Sequence, residues 1–291
     1  MPCVPGSANC IVANRSDTYG VLSGYGAAPG YDLVTGLGSV DALNLVTAAG
    51  WSTNSSSVTP GGASSLVNAA SYAASVAPGS VATAFGDFSL NEPVSALGVP
   101  LPPILDGLSL KFSPGFSAPL FYASATQANI QIPWELAGSE SSSLTAILGG
   151  QASSQFTITL AAFAPAIFGM NGQGTGQGAI LDARYELVDA SNPAAAGDVV
   201  QIYSTGLGAV TNQPASGHAS PFSPLAFTLV NPMVTIGGLP ARVLFSGLTP
   251  GAVGLYQVNA EVPAGAPAGP AAPVALSIGG KASNTVTIAI H

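Results

Sequence analysis

Short apolar runs, separated by clusters of Gly, Pro and Ser, fill residues 64–291. Examples are Val81–Phe85, Leu108–Phe112, Ala128–Ile132, Phe156–Leu160, Val199–Tyr203, Met233–Ile236, Tyr256–Val262 and Val286–Ile290. Runs of this length bounded by turn residues predict strands, and their regular succession predicts a β-sandwich. Leu108-Ser-Leu-Lys-Phe112 alternates cleanly. That places Leu108, Leu110 and Phe112 inward and Lys111 outward. Residues 1–51 read differently: they end in a predicted helix, Val40 to Ala49, with Ser39 as its cap and Gly50 as its stop. Residues 52–63, rich in Ser and Gly, predict a linker.

The β-region repeats internally. Residues 127–160 align with 257–290 without a gap, at one constant offset. Gln127, Asn129 and Pro133 recur as Gln257, Asn259 and Pro263. Gly149-Gly150 and Ala152-Ser153 recur as Gly279-Gly280 and Ala282-Ser283, and Thr157-Ile158 as Thr287-Ile288. Upstream, Gly79–Gly86 resembles Gly197–Gly206 at a different offset, so the intervening loops differ in length. Each unit has the size of an immunoglobulin-like sandwich. The pattern therefore predicts two tandem sandwich repeats, at 64–164 and 165–291.

Composition narrows the setting. Charged residues make up 6% of the chain, against roughly 25% in ordinary globular proteins. Hydrophobic residues reach 47%, enough to build cores. The net charge is -8, from 13 acids and 5 bases. No basic patch is available for phosphates, so charge argues against nucleic acid and anionic membrane surfaces as partners. No apolar run is long enough for a membrane helix. Met1-Pro-Cys-Val4 lacks the basic start and apolar centre of a signal peptide. Scarce Lys with abundant Ser, Thr, Gly, Ala and Pro suggests a secreted protein whose export signal is absent from this chain, which reads as a fragment. Cys3 and Cys10 enclose a short loop that suits a disulfide in an oxidising compartment; the alternative is two free thiols.

Two resemblances follow from particular stretches. Val67-Asn-Ala-Ala-Ser-Tyr72, Val76-Ala-Pro-Gly-Ser80, Gln127-Ala-Asn-Ile-Gln-Ile-Pro-Trp134, Ile202-Tyr-Ser-Thr-Gly-Leu-Gly208 and Gly254-Leu-Tyr-Gln-Val-Asn259 resemble the C-terminal module of large secreted acidobacterial proteins. That resemblance covers residues 64–291. It implies an appendage on exported enzymes and adhesins. Gly24-Tyr-Gly-Ala-Ala-Pro-Gly-Tyr-Asp-Leu-Val-Thr-Gly-Leu-Gly-Ser39 resembles the C-terminal end of a sedolisin-type serine peptidase domain. It implies that residues 1–51 are a short α/β remnant of a subtilisin-like domain. In that family this segment closes a calcium site. Asp32 matches its carboxylate ligand, and Gly30 and Ala28 match its carbonyl positions, with Ala28 in place of a glycine. The family's earlier Asp has no match here. Calcium takes six to eight oxygens, so these residues are half a site, and weak or absent calcium binding is expected. The family's catalytic Ser, Glu and Asp lie upstream of the matched segment, and its Gly-Thr-Ser turn occurs nowhere in the sequence.

Other candidate chemistry weighs less. The histidines are His218, in a loop, and His291, the last residue; a solvated loop histidine outweighs a triad member. Gly172-Gln-Gly-Thr-Gly-Gln-Gly178 lacks the strand, helix and Lys of a phosphate loop and reads as a connector. Asp182, Glu186 and Asp189 with Arg184 form an acidic cluster, read as a self-paired loop rather than a cation or acid–base site. Trp134, Tyr122 and Tyr256 suggest core or inter-repeat packing over a carbohydrate platform. Lys111 and Lys281 are weak candidates for an isopeptide bond. Asn14-Arg-Ser16 and Asn54-Ser-Ser56 are accidental sequons.

Three functions are consistent with this reading. The first is a non-catalytic extracellular accessory, adhesion or spacer module acting on a cell-surface polymer or protein. The second is a serine endopeptidase of which the chain is a truncated part. The third is a calcium-stabilised module that binds protein or carbohydrate.

Overall fold

The computed structural model describes Pro2–Cys3, Pro5, Cys10–Ile11, Gly20–Leu22 and residues 59–291. The chain divides into two compact units, Met1–Ser57 and Val58–His291. In the first, β1 (Pro2–Cys3), β2 (Cys10–Ile11) and β3 (Gly20–Leu22) form an antiparallel sheet with β3 in the middle. Cys3 and Cys10 thus lie on the two strands that flank β3. No described cysteine is free. The expected helix at 40–49, the calcium candidates Ala28, Gly30 and Asp32, and both sequons lie outside the described residues.

The second unit is mainly β, and the ladders between its strands are antiparallel. Its first repeat contains β4 (Gly62–Asn68), β5 (Val81–Asp87), β6 (Val94–Ser95), β7 (Leu108–Phe112), β8 (Phe116–Ser117) and β9 (Leu120–Ala123). It continues with β10 (Gln127–Gln131), a 3-10 turn (Trp134–Leu136), β11 (Ser141–Leu148), β12 (Gln151–Ala152) and β13 (Phe156–Thr159). One sheet runs β4-β5-β10-β9-β6; the facing sheet runs β12-β11-β7-β8, with β13 also on β11. Leu108, Leu110 and Phe112 are fully buried and Lys111 is exposed, as the alternation requires. Strand β11 is rich in serine, yet Ser142, Leu144 and Ala146 face the core in alternation. Ser142 Oγ donates to Ser113 O at 3.0 Å, which satisfies the one polar group among the three.

The second repeat contains β14 (Ala166–Ile167), β15 (Ile180–Leu181), β16 (Val199–Thr205), β17 (Met233–Ile236) and β18 (Leu239–Leu248). Then come β19 (Tyr256–Glu261), β20 (Gly269–Ile278), β21 (Lys281–Ala282) and β22 (Val286–Ile290). Strand β18 serves both layers: residues 239–241 pair with β17, and residues 242–248 pair with β19. In the first repeat the same path is cut at Ala118-Pro119, where β8 pairs with β7 and β9 with β10. Proline has no N–H for a ladder, so the sheet-switching strand divides there.

The internal repeat extends to individual hydrogen bonds. Gln127 Nε2 donates to Asn129 Oδ1 at 2.9 Å, and Gln257 Nε2 to Asn259 Oδ1 at 2.8 Å. Ser153 Oγ accepts from Ala146 N and donates to Ser154 O. Ser283 Oγ accepts from Leu276 N and donates to Asn284 O. Each serine closes the turn after a long strand by the same two bonds. Ser153→Ala and Ser283→Ala are therefore expected to destabilise the protein by similar amounts, about 1 kcal/mol each. Urea midpoints of the two variants check this; a cost confined to one of them would contradict the equivalence.

Candidate functional site

Several buried polar groups of the second unit, Asn68, Gln131 and Thr205 among them, bind across the junction of the two repeats. The junction starts at the end of β10. Pro133, at φ -56° and ψ 138°, turns the chain into the 3-10 turn, which Ala137 N closes onto Trp134 O. Two side chains of that single turn enter different cores. Leu136 joins the first repeat's core, and Trp134 joins the second's. The Trp134 ring fills the space beside Gly79; a Cβ on Gly79 would stand 2.1 Å from the ring, and its φ is +80°. Only glycine fits both demands.

Polar bonds hold this knob in place. Trp134 N donates to Ser216 Oγ at 2.9 Å, and Ser216 Oγ donates to Glu135 Oε2 at 2.7 Å. Gln131 is fully buried. Its Oε1 accepts from Gly217 N at 2.6 Å, and Leu101 N donates to Gly217 O at 2.7 Å. Val81 N donates to Thr205 Oγ1 at 2.9 Å, and that hydroxyl donates to Gly254 O. The short connection is gripped from both sides. Ala161 N donates to Val76 O, Ala164 N to Gly206 O, and Asn68 Nδ2 to Ala164 O. Phe163 sits in this connection, close against Gly279 of the second repeat.

A cleft of about 520 Å³ opens beside the knob. Trp134, Leu160 and Phe163 give it apolar walls, and Ser139, Glu140 and Gln213 stand exposed at its polar side. Trp134 is 5% exposed, and its Nε1, itself shut off from solvent, has no hydrogen-bond partner among the described residues. Among the described residues, Glu140 is the one charged group lining the cleft.

The structure distributes the sequence candidates widely. Tyr256 is fully buried, and its hydroxyl donates to Gly208 O; burial pushes its pKa far up. Trp134 and Tyr256 share the second core, whereas Tyr122 is half-buried on β9 of the first repeat. They form no platform of three exposed rings. His218 Nδ1 faces the backbone oxygen of Ser216 at 3.3 Å rather than its hydroxyl, which is already committed to Glu135. His291 Nδ1 lies 3.2 Å from Pro193 O. In the glycine-rich stretch, Gly178 bridges Gly169 and Gln177 bridges Thr287. Lys111 and Lys281 are both exposed. Among the described residues no group of three His, Cys, Asp or Glu could hold a metal ion, and no helix is long and apolar enough to cross a membrane.

The acidic cluster has a structural explanation. The registers β4–β5 and β15–β16 superimpose Leu66 on Ile180, which puts Asp182 where the first repeat has Asn68. Both side chains cap the turn that follows. Asn68 Oδ1 accepts from Ala70 N and Ser71 N; Asp182 Oδ1 accepts from Arg184 N and Glu186 N. Arg184 then ion-pairs with Asp182 and Glu186, both at 2.9 Å. The junction residues that sequence reading missed are Gln131, Ser216 and Thr205. Each is a single polar residue whose partner lies in the other repeat, so no local pattern marks it.

No family model matches the sequence, and no curated protein matches it. Among solved structures it is similar to the I9-I11 tandem from titin, at 9% identity and a TM-score of 0.20, over 75% of this chain and 62% of that one. It is similar to the BSP domain of a biofilm associated protein, at 14% identity and a TM-score of 0.24, over 80% of this chain and 29% of that one. Domains 5-6 of the S-layer protein SbsC align at 11% identity and a TM-score of 0.25, over 78% of this chain and 95% of that one. Superpositions this loose carry no functional information.

Asp182 supplies a pH test of the capping role. The Glu186 backbone N–H, aided by the Arg184 and Asn192 side chains, lowers its pKa from 3.8 to about 2. A carboxylate depressed in the folded state contributes stability above its unfolded pKa and loses it as pH falls. The contribution should fade between about pH 4 and pH 2. Asp182→Asn should lower stability at neutral pH and flatten its fall over that range, read from urea midpoints. An unchanged acid profile would contradict the assignment.

Proposed function

We propose that residues 59–291 are a stiff tandem accessory module that works outside the cell as a spacer or adhesion element. The observation that carries this reading is the junction: one turn sends Leu136 into one core and Trp134 into the other. Two sandwiches joined by a free linker would swing independently. Here the connection, the knob and Gln131 bind both repeats, so the pair behaves as one body. The acidic, Lys-poor composition fits exposure to solvent rather than to phosphates. The Ser-rich stretch before the repeats fits a tether. On the same proposal, residues 1–51 correspond to the end of a sedolisin-type serine endopeptidase domain. The basis is the stretch 24–39, and the module would then serve a secreted protease.

Retention on insoluble polymers tests the proposal. The full chain, incubated with cell-wall material and a panel of polysaccharides, should be held on at least one of them and should not cleave casein at acid pH. Serine-dependent cleavage by this chain would overturn the reading. Retention on none of the polymers would remove adhesion and leave spacing alone.

A further inference from the structure

We propose that the first repeat is one strand short and that a second copy of this chain supplies the missing strand, edge to edge along β13, a role that stands apart from the spacer or adhesion reading. Thr157 on β13 and its counterpart Thr287 on β22 hold the same place in their ladders. Thr157 lies opposite Ser143 on β11, and Thr287 lies opposite Pro273 on β20. The carbonyl oxygens of Ser143 and Pro273 both accept from the element on their far side, from Ser113 N and Gly237 N. Pro273 has no N–H to give. Neither pair therefore exchanges ladder bonds, and Thr157 and Thr287 both turn their N–H and C=O to the outer edge.

At that edge the repeats differ. Thr287 N donates to Gly176 O at 2.7 Å, and Gly178 N donates to Thr287 O at 2.9 Å. A short parallel segment, bridged at Gln177, thus covers the edge of β22. Among the described residues, no group meets the Thr157 N–H or C=O. Further along, the repeats agree again: Val76 O accepts from Ala161 N as Ala194 O accepts from His291 N. The gap follows from the path of the preceding strands. In the second repeat β14 pairs with the end of β16, at Ser204 and Thr205, which leaves residues 176–178 to cross to β22. In the first repeat β4 runs on to the end of β5, pairing Gly62 and Ala63 with Asp87 and Gly86. No described strand is left for the outer edge of β13, where Thr157 and Thr159 stand exposed.

This edge fits its own copy. Phe156-Thr-Ile-Thr159 consists of strand-forming residue types. It carries none of the charges, prolines or bulges that guard natural edges. No charged residue occurs from Ser141 to Leu181, so two such edges meet without repulsion. Beyond backbone groups and hydroxyls, the edge offers no charge by which a different partner would be selected. Antiparallel pairing about a twofold axis is closed and self-complementary. Centred on Thr157, it lets each Thr157 N–H donate to the other copy's Thr157 O, and it sets the two hydroxyl side chains side by side. A strand pair this short is small beside the roughly 1,200 Å² of a stable interface, so a reversible dimer is expected.

Sedimentation velocity of the full chain, from micromolar toward millimolar concentration, should show reversible dimerisation. By hydrogen exchange, the Thr157 amide should be fast in dilute solution and protected in concentrated solution. Thr157→Pro removes the donor without costing a ladder bond inside the repeat. Thr157→Lys sets two like charges face to face at an exposed position. Each should weaken association by about tenfold or more, and added salt should restore it for the lysine variant alone. A chain that stays monomeric over the whole range would overturn the proposal. So would a dimer that neither substitution weakens. A Thr157 amide already protected in the dilute monomer would also overturn it, because the chain would then cover its own edge. The polymer assay is separate: dimerisation without polymer retention leaves the strand pairing standing, and retention by a strict monomer refutes the pairing alone.

Discussion

One indole ring joins two hydrophobic cores. Trp134 leaves the first repeat, passes over Gly79 and ends among the buried residues of the second. Burying an aromatic of this size is among the largest single contributions a side chain makes, and truncating one costs about 3–5 kcal/mol. The ring can sit there only because Gly79 has no side chain. Its backbone is held there by Ser216, whose hydroxyl accepts its N–H, and by Ala137, which donates to its carbonyl. The fully buried Gln131 ties the same place to Gly217. Remove the indole and these bonds lose the packing that shields them from water.

The two repeats share a plan and differ where the junction needs them to. The equivalent of Trp134 in the second repeat is Ala264, and the equivalent of Gly79 is Gly197. A Cβ on Gly197 would meet nothing within 4 Å among the described residues. The second repeat therefore presents no knob of this kind. Neighbour contacts of this sort govern tandem arrays, in which each unit's stability depends on the interface it makes. The first repeat divides its sheet-switching strand at Pro119, and the second carries it through as β18. The same topology thus tolerates a break where a loop turns toward the junction: Leu101 and Pro119 both lie close to Gly217.

Much of the β-structure is legible in the sequence because its strands alternate or run apolar. Leu108–Phe112 and Met233–Ile236 have the expected ends. Strands β4, β11 and β20 are not legible in that way. Gly62–Asn68 begins inside a stretch that reads as linker, Ser141–Leu148 opens with three serines, and Gly269–Ile278 carries two prolines. Each buries only alternate residues, so small and polar residues on the open face mask the pattern. The tandem itself shows in Gln127, Asn129, Ser153 and their counterparts, which hold turns and ladders within a repeat. The polar bonds of the junction do not show. Trp134 reads as core or inter-repeat packing, and the fold makes it both, because the core it enters belongs to the other repeat; which of the two it is, and which polar residues hold it there, only the folded chain reveals.

The central claim is that Trp134 makes the two sandwiches one cooperative body. Native-state hydrogen exchange tests it most directly, with the amides of β5 and β10 reporting on the first repeat and those of β16 and β19 on the second. In the unaltered protein the slowest amides of both repeats should exchange through one common opening. In Trp134→Ala the two sets should separate, each with its own lower protection. If the two sets already differ in the unaltered protein, or if Trp134→Ala leaves them equal and unshifted, the repeats fold independently and the account is wrong.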